Sequence, residues 1–389
     1  MRKTRLMIVT TTTETLATIL KGQPGFLAKH FDVALCASFD NHENVVRESE
    51  KLPLFCVRMI RGISPFYDIA SIVQMICVIR RFRPDIIHSY TPKAGLVSML
   101  AAWFCGVPVR IHTFTGLLFP SAFGVKKAIL KNVDRLLSFF ATEVVPESAG
   151  VRSDLIKHGV VRDLQAPIGY GNIAGVDTAY YDSSNPDLKP LCSAFRKAHA
   201  LTPGFSFCYV GRIHKDKGID ELVEAFSSLP GTSYLMLVGA FDEVALPSAK
   251  TLKLIEQHPR IRYLGFQSDI RPALFCSDVV VLPSYREGFP NVVLQSLSMS
   301  RPVIVSDVSG SNEITVPGHN GWIVPVADSR ALWSAMYSAI RCSTDLLSQM
   351  GRNGRKAVLQ KYERSWYNDK LLDFYKLREA SIGFSGFGS

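Results

Sequence analysis

The chain has 389 residues, of which 47% are hydrophobic and 20% charged. That apolar mass supports large buried cores, predicts two or three domains, and excludes a disordered protein apart from the short Gly/Ser-rich end SIGFSGFGS. The net charge of +10 is concentrated, because residues 51–135 hold twelve lysines and arginines against three aspartates. Such a field favours an anionic lipid surface, a polyphosphate ligand or nucleic acid.

The first segment, MRKTRLMIVT, has a basic lead but too short an apolar stretch for a signal peptide, and reads as a buried strand. After it come DVALCAS, LFCVRMI, DIIHSY, VRIHTF and TEVVP, with helix-length segments such as 68–82 and 124–140 between them. The second half repeats the scheme with FSFCYVGR, SYLMLVG, IRYLGF, DVVVLPS, PVIVSD and GWIVP. Continuous apolar strands separated by helices predict parallel sheets covered on both faces. Two such series predict an α/β fold of two doubly wound, Rossmann-like domains, 1–185 and 186–362, with YYDSSNPDLKP as the linker. No window holds eighteen uninterrupted apolar residues, so no membrane-spanning helix is expected. The eight cysteines share no C-x-x-C spacing, and most lie in apolar runs, which reads as buried reduced thiols rather than a zinc site or disulfide framework.

In doubly wound sheets the ligand lies outside the carboxyl ends of the strands. After FCYV comes GRIHKDKG, where Gly211 lets the chain turn and Arg212 and Lys217 precede a helix. Two cations with exposed backbone N–H groups suit a diphosphate, although a basic surface turn explains them equally well. After VVVL comes PSYREGFPNVVLQ, in which Pro290 suits the first helical position, so that the helix N-terminus faces the loop as an anion site. Glu287 stands just outside that helix, able to cap it or to accept hydrogen bonds from sugar hydroxyls. Gln295 lies further along the helix, and its amide can hold a diol. The SDVSGSNE and PGHNGW stretches read as mostly structural turns. No D-x-D occurs anywhere in the chain.

Taken together, G-R-x4-K-G, SYREGFPNVVLQ, D-x-x-G-x-x-E and G-x-N-G resemble the retaining glycosyltransferases of family four. The first half is similar as well, in RPDIIHSYTPKAGLVSMLAA, VRIHTFTGLLF and GYGNIAGVDTAYY, so the resemblance spans nearly the whole chain. It implies the GT-B fold, two Rossmann-like domains facing a cleft, with an N-terminal acceptor domain and a C-terminal donor domain. The last helix, at about 363–380, would pack back on the first domain. The donor would be a nucleotide-sugar, a UDP-sugar in particular. Arg212 and Lys217 would bind its diphosphate and Glu287 its sugar hydroxyls, with Gly211, Gly288, Phe289 and Asn291 facing sugar and phosphate. The family motif is E-x7-E, whose second glutamate binds the ribose, and here that position is Gln295. Many members carry His-Gly after the fourth strand, where this chain has Thr115 and Gly116, so Thr115 would contact the donor sugar. His112, three residues earlier, reads as a buried strand histidine. A Gly-Gly pair near the first strand is replaced by a stretch in which Lys21, Gly22 and Gln23 would shape the acceptor side.

The resemblance also implies transfer with retention, without metal or other cofactor, of a hexose or N-acetylhexosamine to a lipid-diphosphate-linked glycan in surface polysaccharide (O-antigen or capsule) synthesis. Lys93, at a strand's carboxyl end, would meet the acceptor diphosphate. Phe119, Phe123 and VKKAILKNVDRLL are candidates to rest on an anionic membrane, which would place the protein in the cytoplasm, peripheral to the inner face of the cytoplasmic membrane. A sugar-nucleotide 2-epimerase or a phosphorylase of the same fold is the alternative. A non-catalytic nucleic-acid-binding protein is a distant one, and no nucleic-acid recognition motif is present.

Overall fold

The computed structural model of the chain describes residues 2–384 except 61, 63, 121, 202 and 232. It contains two compact units, one formed by the chain up to Gly175 plus the segment from Ser365 onward, the other by Val176–Arg364.

The first unit is a six-stranded sheet of β1 (Arg5–Thr12), β2 (Asp32–Ser38), β3 (Leu54–Cys56), β4 (Ile86–Ser89), β5 (Val109–Phe114) and β6 (Glu143–Pro146). Every pairing is parallel, in the order β3-β2-β1-β4-β5-β6. Alternation along β1 sends Leu6 and Ile8 to one face and Met7 and Val9 to the other, and both faces are buried. Helices Pro65–Phe82, Pro92–Phe104 and Gly124–Phe140 contribute Met75, Val97 and Leu137 to the core on the Met7 face. The last helix, Arg364–Phe384, buries Tyr367, Leu371 and Tyr375 on the Leu6 face. Tyr375 shares a 2.6 Å hydrogen bond with Nδ1 of the buried His88. This helix takes in the first four residues of the Gly/Ser-rich end, and residues 385–389 lie outside the described residues. The run LFCVRMI forms a shorter strand than its composition predicts. Only Leu54–Cys56 pairs, on one side, with β2, and at Arg58 the backbone N–H already donates to the Gln74 side chain.

The second unit repeats the plan with β7 (Ser206–Val210), β8 (Tyr234–Val238), β9 (Ile261–Gly265), β10 (Val279–Leu282), β11 (Val303–Ser306) and β12 (Gly321–Val324), again all parallel, in the order β12-β11-β10-β7-β8-β9. The order reverses direction between β7 and β10, and a crevice opens at such a switch point. The division between units falls after Gly175 rather than after residue 185. Val176 is held by its N–H to the Tyr362 carbonyl (2.8 Å), and the Tyr181 carbonyl accepts from Ser298 Oγ (2.7 Å), so this stretch belongs to the second unit.

No helix among the described residues is long and apolar enough to cross a membrane. Four of the eight cysteines are buried, but Cys56 and Cys77 are exposed and Cys105 and Cys342 lie between, so the expectation of buried thiols holds for only half of them. Cys77 sits on the outward side of its helix, and Cys56 closes the edge strand β3.

Candidate functional site in the second unit

The site grows from the two loops that flank the switch point. After β7 the chain passes Gly211 and Arg212, then makes one 3-10 turn at Lys215–Lys217. His214 Nδ1 caps that turn by accepting the Asp216 N–H at 3.0 Å. Gly218 ends it in the left-handed region (φ +68°), where a Cβ would lie 2.0 Å from the Pro283 carbonyl oxygen. Only glycine therefore lets the loop after β10 come this close. The contact is held by the Tyr285 N–H to the Asp216 carbonyl (2.8 Å), Arg286 to the Asp216 carboxylate (3.0 Å) and the Tyr285 hydroxyl to Glu221 (2.6 Å). The result is that Lys217 Nζ lies 2.6 Å from Glu287 Oε1, with side chains 23% and 13% exposed.

The next residues lead into the helix Asn291–Ser298. Gly288 and Phe289 are buried, and the Phe289 ring packs on Tyr362. Gly310, on the loop after β11, presses against them so closely that a Cβ would lie 2.3 Å from the Gly288 carbonyl oxygen. Pro290 is the N-cap rather than the first helical residue, because its ψ of 112° is extended and its carbonyl takes the Val293 N–H. Pro290 itself offers no side chain to cap this helix. Glu287, one candidate for that task, is engaged with Lys217 instead. The helix end thus presents N–H groups and a partial positive charge beside an ion pair. Gln295 is half-buried on the same helix, and its side-chain amide makes no hydrogen bond among the described residues.

Arg212 is more than half exposed and pairs through Nη1 with Asp242, on the loop after β8. Burial alone would raise the Asp242 carboxyl, but the Val244 N–H and the Arg212 charge outweigh it and hold the pKa below the ordinary carboxylate value. Tyr209, buried behind Arg212, donates to the Arg212 carbonyl at 2.7 Å, and burial together with the Glu287 charge pushes its pKa well up. Asp242, Asp216 and Arg286 are the charged neighbours that sequence reading missed. The signal for Asp242 was its place at the carboxyl end of the strand next to β7.

In the first unit, Thr115 donates to the Tyr90 carbonyl at 3.0 Å and Gly116 follows with φ +101°. Lys93 Nζ is bound by both oxygens of Asp68, at 2.6 and 2.8 Å, so its charge is already matched within the unit. Gln23 is turned inward, 1% exposed, with its amide donating to the Ile173 carbonyl at 2.9 Å. It cannot touch an acceptor at the surface, whereas Lys21 is exposed. His112 is buried in β5, shares a 2.8 Å hydrogen bond with Ser89, and is held neutral by burial, with a pKa down to about 3. Among the described residues no group of three or more His, Cys, Asp or Glu side chains is placed to hold a metal ion.

Two family models match the chain. Residues 25–171 fit the description "Glycosyl transferase 4-like domain", and residues 204–341 fit "Glycosyl transferases group 1". The chain is a glycosyltransferase, with one segment matching each model. This glycosyltransferase is 29% identical to the capsular polysaccharide biosynthesis glycosyltransferase CapM of Staphylococcus aureus, over 92% of this chain and 93% of that one. It is 26% identical to the UDP-Gal:alpha-D-GlcNAc-diphosphoundecaprenol alpha-1,3-galactosyltransferase of Escherichia coli, over 82% of each. Its fold is GT-B. The crystal structure of Anabaena Alr3699/HepE in complex with UDP and glucose superimposes with a TM-score of 0.79 at 19% identity, over 96% of the glycosyltransferase and 99% of that chain. The segment matched to the group 1 model contains Lys217, Glu287 and the N-terminus of the helix Asn291–Ser298.

Proposed function

We propose that this glycosyltransferase moves a hexose or N-acetylhexosamine, with retention of configuration, from a UDP-sugar to a lipid-diphosphate-linked glycan during surface polysaccharide synthesis, at the inner face of the cytoplasmic membrane. The observation that carries the reading is the Lys217–Glu287 pair, 2.6 Å apart and mostly shielded, beside the N-terminus of the helix that follows Pro290 at the switch point. The S. aureus relative, by its name, serves capsule synthesis, and the E. coli relative uses UDP-Gal and a diphosphoundecaprenol-linked acceptor.

As the bond from the anomeric carbon to the diphosphate breaks, negative charge gathers on the leaving phosphate and positive charge on the sugar ring. Lys217, Arg212 and the helix end stabilise the first. Glu287, close to where the sugar lies, orients its hydroxyls and stabilises the second. The acceptor hydroxyl attacks the same face from which the diphosphate leaves, and its proton passes to a diphosphate oxygen. The helix end and the two side-chain cations, each turning from its carboxylate partner (Glu287 for Lys217, Asp242 for Arg212) toward the diphosphate, supply the positive charge the leaving group needs, so the reading includes no metal. Gly288, Phe289 and Asn291 face the donor through their backbone, and Thr115 and Gly116 serve the sugar. Lys21 remains the exposed candidate on the acceptor side, and Lys93 can serve there only by giving up part of its contact with Asp68.

A thermal-shift panel of UDP-, GDP- and TDP-sugars tests the donor. A ligand at about a hundred times its Kd stabilises the fold by roughly 2.7 kcal/mol, so the true donor stands out, and its transfer to a lipid-diphosphate sugar is followed by mass spectrometry. Release of sugar phosphate from donor and inorganic phosphate would instead favour the phosphorylase. The ribose assignment is tested by Gln295→Glu, which exchanges a neutral for a charge-assisted hydrogen bond. We expect UDP to bind the variant at least as tightly as wild type, and up to about tenfold tighter. A large loss measured by calorimetry would refute the assignment.

A further inference from the structure

The three helices on the Met7 face of the first unit, Pro65–Phe82, Pro92–Phe104 and Gly124–Phe140, stand side by side and bury their inner sides in the core. A helix with water on its outer side normally carries polar residues there. Here the outer sides carry large apolar residues among the polar ones. On the first helix Phe66, Ile69 and Val73, spaced i, i+3, i+7, are 88%, 61% and 55% exposed. On the third, Val125 and Phe139 lie outward at 76% and 77% exposed. Trp103 is half exposed at the end of the helix between them. Phe123, at the head of the third helix, is also exposed, whereas Phe119 is fully buried and edge-on to His158, so only Phe123 of that expected pair is available.

Charge decides what covers such a face. Lys126, Lys127, Lys131 and Arg135 run along the third helix, and Arg80 and Arg81 close the first. The three acids of residues 51–135 offset none of it. Asp68 is chelated by Lys93, Asp85 pairs with Arg2 at 2.6 Å, and Asp134 is buried. A second copy of this chain would set like charge against like. An anionic bilayer satisfies both the apolar side chains and the cations, and tryptophan is at home at its interface.

We propose that the outer face of this three-helix layer seats the protein on an anionic lipid bilayer, its apolar side chains entering the headgroup–acyl boundary while its lysines and arginines meet lipid phosphate. The proposal rests on the reading above that the acceptor is held by a membrane, and it adds the face and the mode of contact. Charge pairing alone would be released by salt, whereas inserted aromatic side chains would not.

The test is co-sedimentation of the full chain with vesicles of phosphatidylethanolamine and phosphatidylglycerol. Wild type is expected to bind, and to remain partly bound in about 0.5 M salt, where surface charges are screened within a few ångströms. A Phe66→Ser, Ile69→Ser, Phe139→Ser variant should bind at least about tenfold more weakly, and so should Lys126→Glu, Lys127→Glu, Lys131→Glu. Both should unfold at the wild-type temperature and turn over a water-soluble, short-chain diphosphate acceptor at the wild-type rate. Undiminished vesicle binding by the serine variant would overturn the proposal. So would a wild-type dimer that the serine substitutions dissociate while vesicles bind neither form. A wild type that binds vesicles but transfers no sugar to any acceptor would defeat the functional reading and leave this face intact.

Discussion

Glu287→Ala is expected to lower sugar transfer by at least about a hundredfold in a mass-spectrometric turnover assay, the scale on which a transition-state electrostatic partner acts. The expectation follows from position. Glu287 is 13% exposed and bonded to Lys217 at 2.6 Å, on the loop that opens the helix Asn291–Ser298. On the proposed mechanism a carboxylate there would meet the developing positive charge of the sugar in a site with little water to screen it. Two roles need separating, because Glu287 also holds Lys217 in place. Glu287→Gln makes the separation: the amide keeps the volume and still accepts a hydrogen bond from Lys217, but carries no charge. If Glu287 merely positions Lys217, the glutamine variant recovers most of the activity. If it acts on the sugar, the variant stays at least about tenfold below wild type, with donor KM changed less than kcat. Neither change should cost more than about 2 kcal/mol in a urea titration, since the pair keeps some contact with water. Near-wild-type turnover by the alanine variant would remove Glu287 from the chemistry.

Both sheets were legible in the sequence because strands buried on both faces cannot alternate. Val279–Leu282 is apolar at every position and buried at every position. The edge strand β3 was read too long for a related reason: an apolar run says a segment is buried, not that it has a neighbour to pair with. The loops at the carboxyl ends of β7 and β10 followed from the rule that ligands lie at that end of a doubly wound sheet, and the structure brings their Lys217 and Glu287 together. What the sequence concealed is the pairing of charges across elements. Arg212 and Asp242 are thirty residues apart, and Lys93 and Asp68 twenty-five. No local pattern joins them, because their meeting depends on which strands are adjacent and where the helices begin. The same limit hid the inward turn of Gln23, and it separated Phe119 from Phe123 within a stretch that has no periodicity to tell an anchor from an exposed ring.

Gly218→Ala should cost about 2–4 kcal/mol of stability and most of the transfer activity. Two terms combine. A left-handed backbone costs any residue with a Cβ about 1–2 kcal/mol, and Gly218 has φ +68°. The new methyl would also stand 2.0 Å from the Pro283 carbonyl oxygen, against backbone that cannot swing aside as a side chain would. The loop after β10 must retreat by more than an ångström, roughly the shortfall from ordinary van der Waals contact. Its first loss is the 2.8 Å bond from the Tyr285 N–H to the Asp216 carbonyl, and Glu287, two residues on, moves with it away from Lys217. Gly318→Ala separates the two terms. Gly318 has φ +73°, but nothing lies within 4 Å of its Cβ position, so its alanine should pay only the backbone cost and keep full turnover. Equal losses in the two variants, by urea titration and by rate, would mean that the close approach of the two loops does not organise the site.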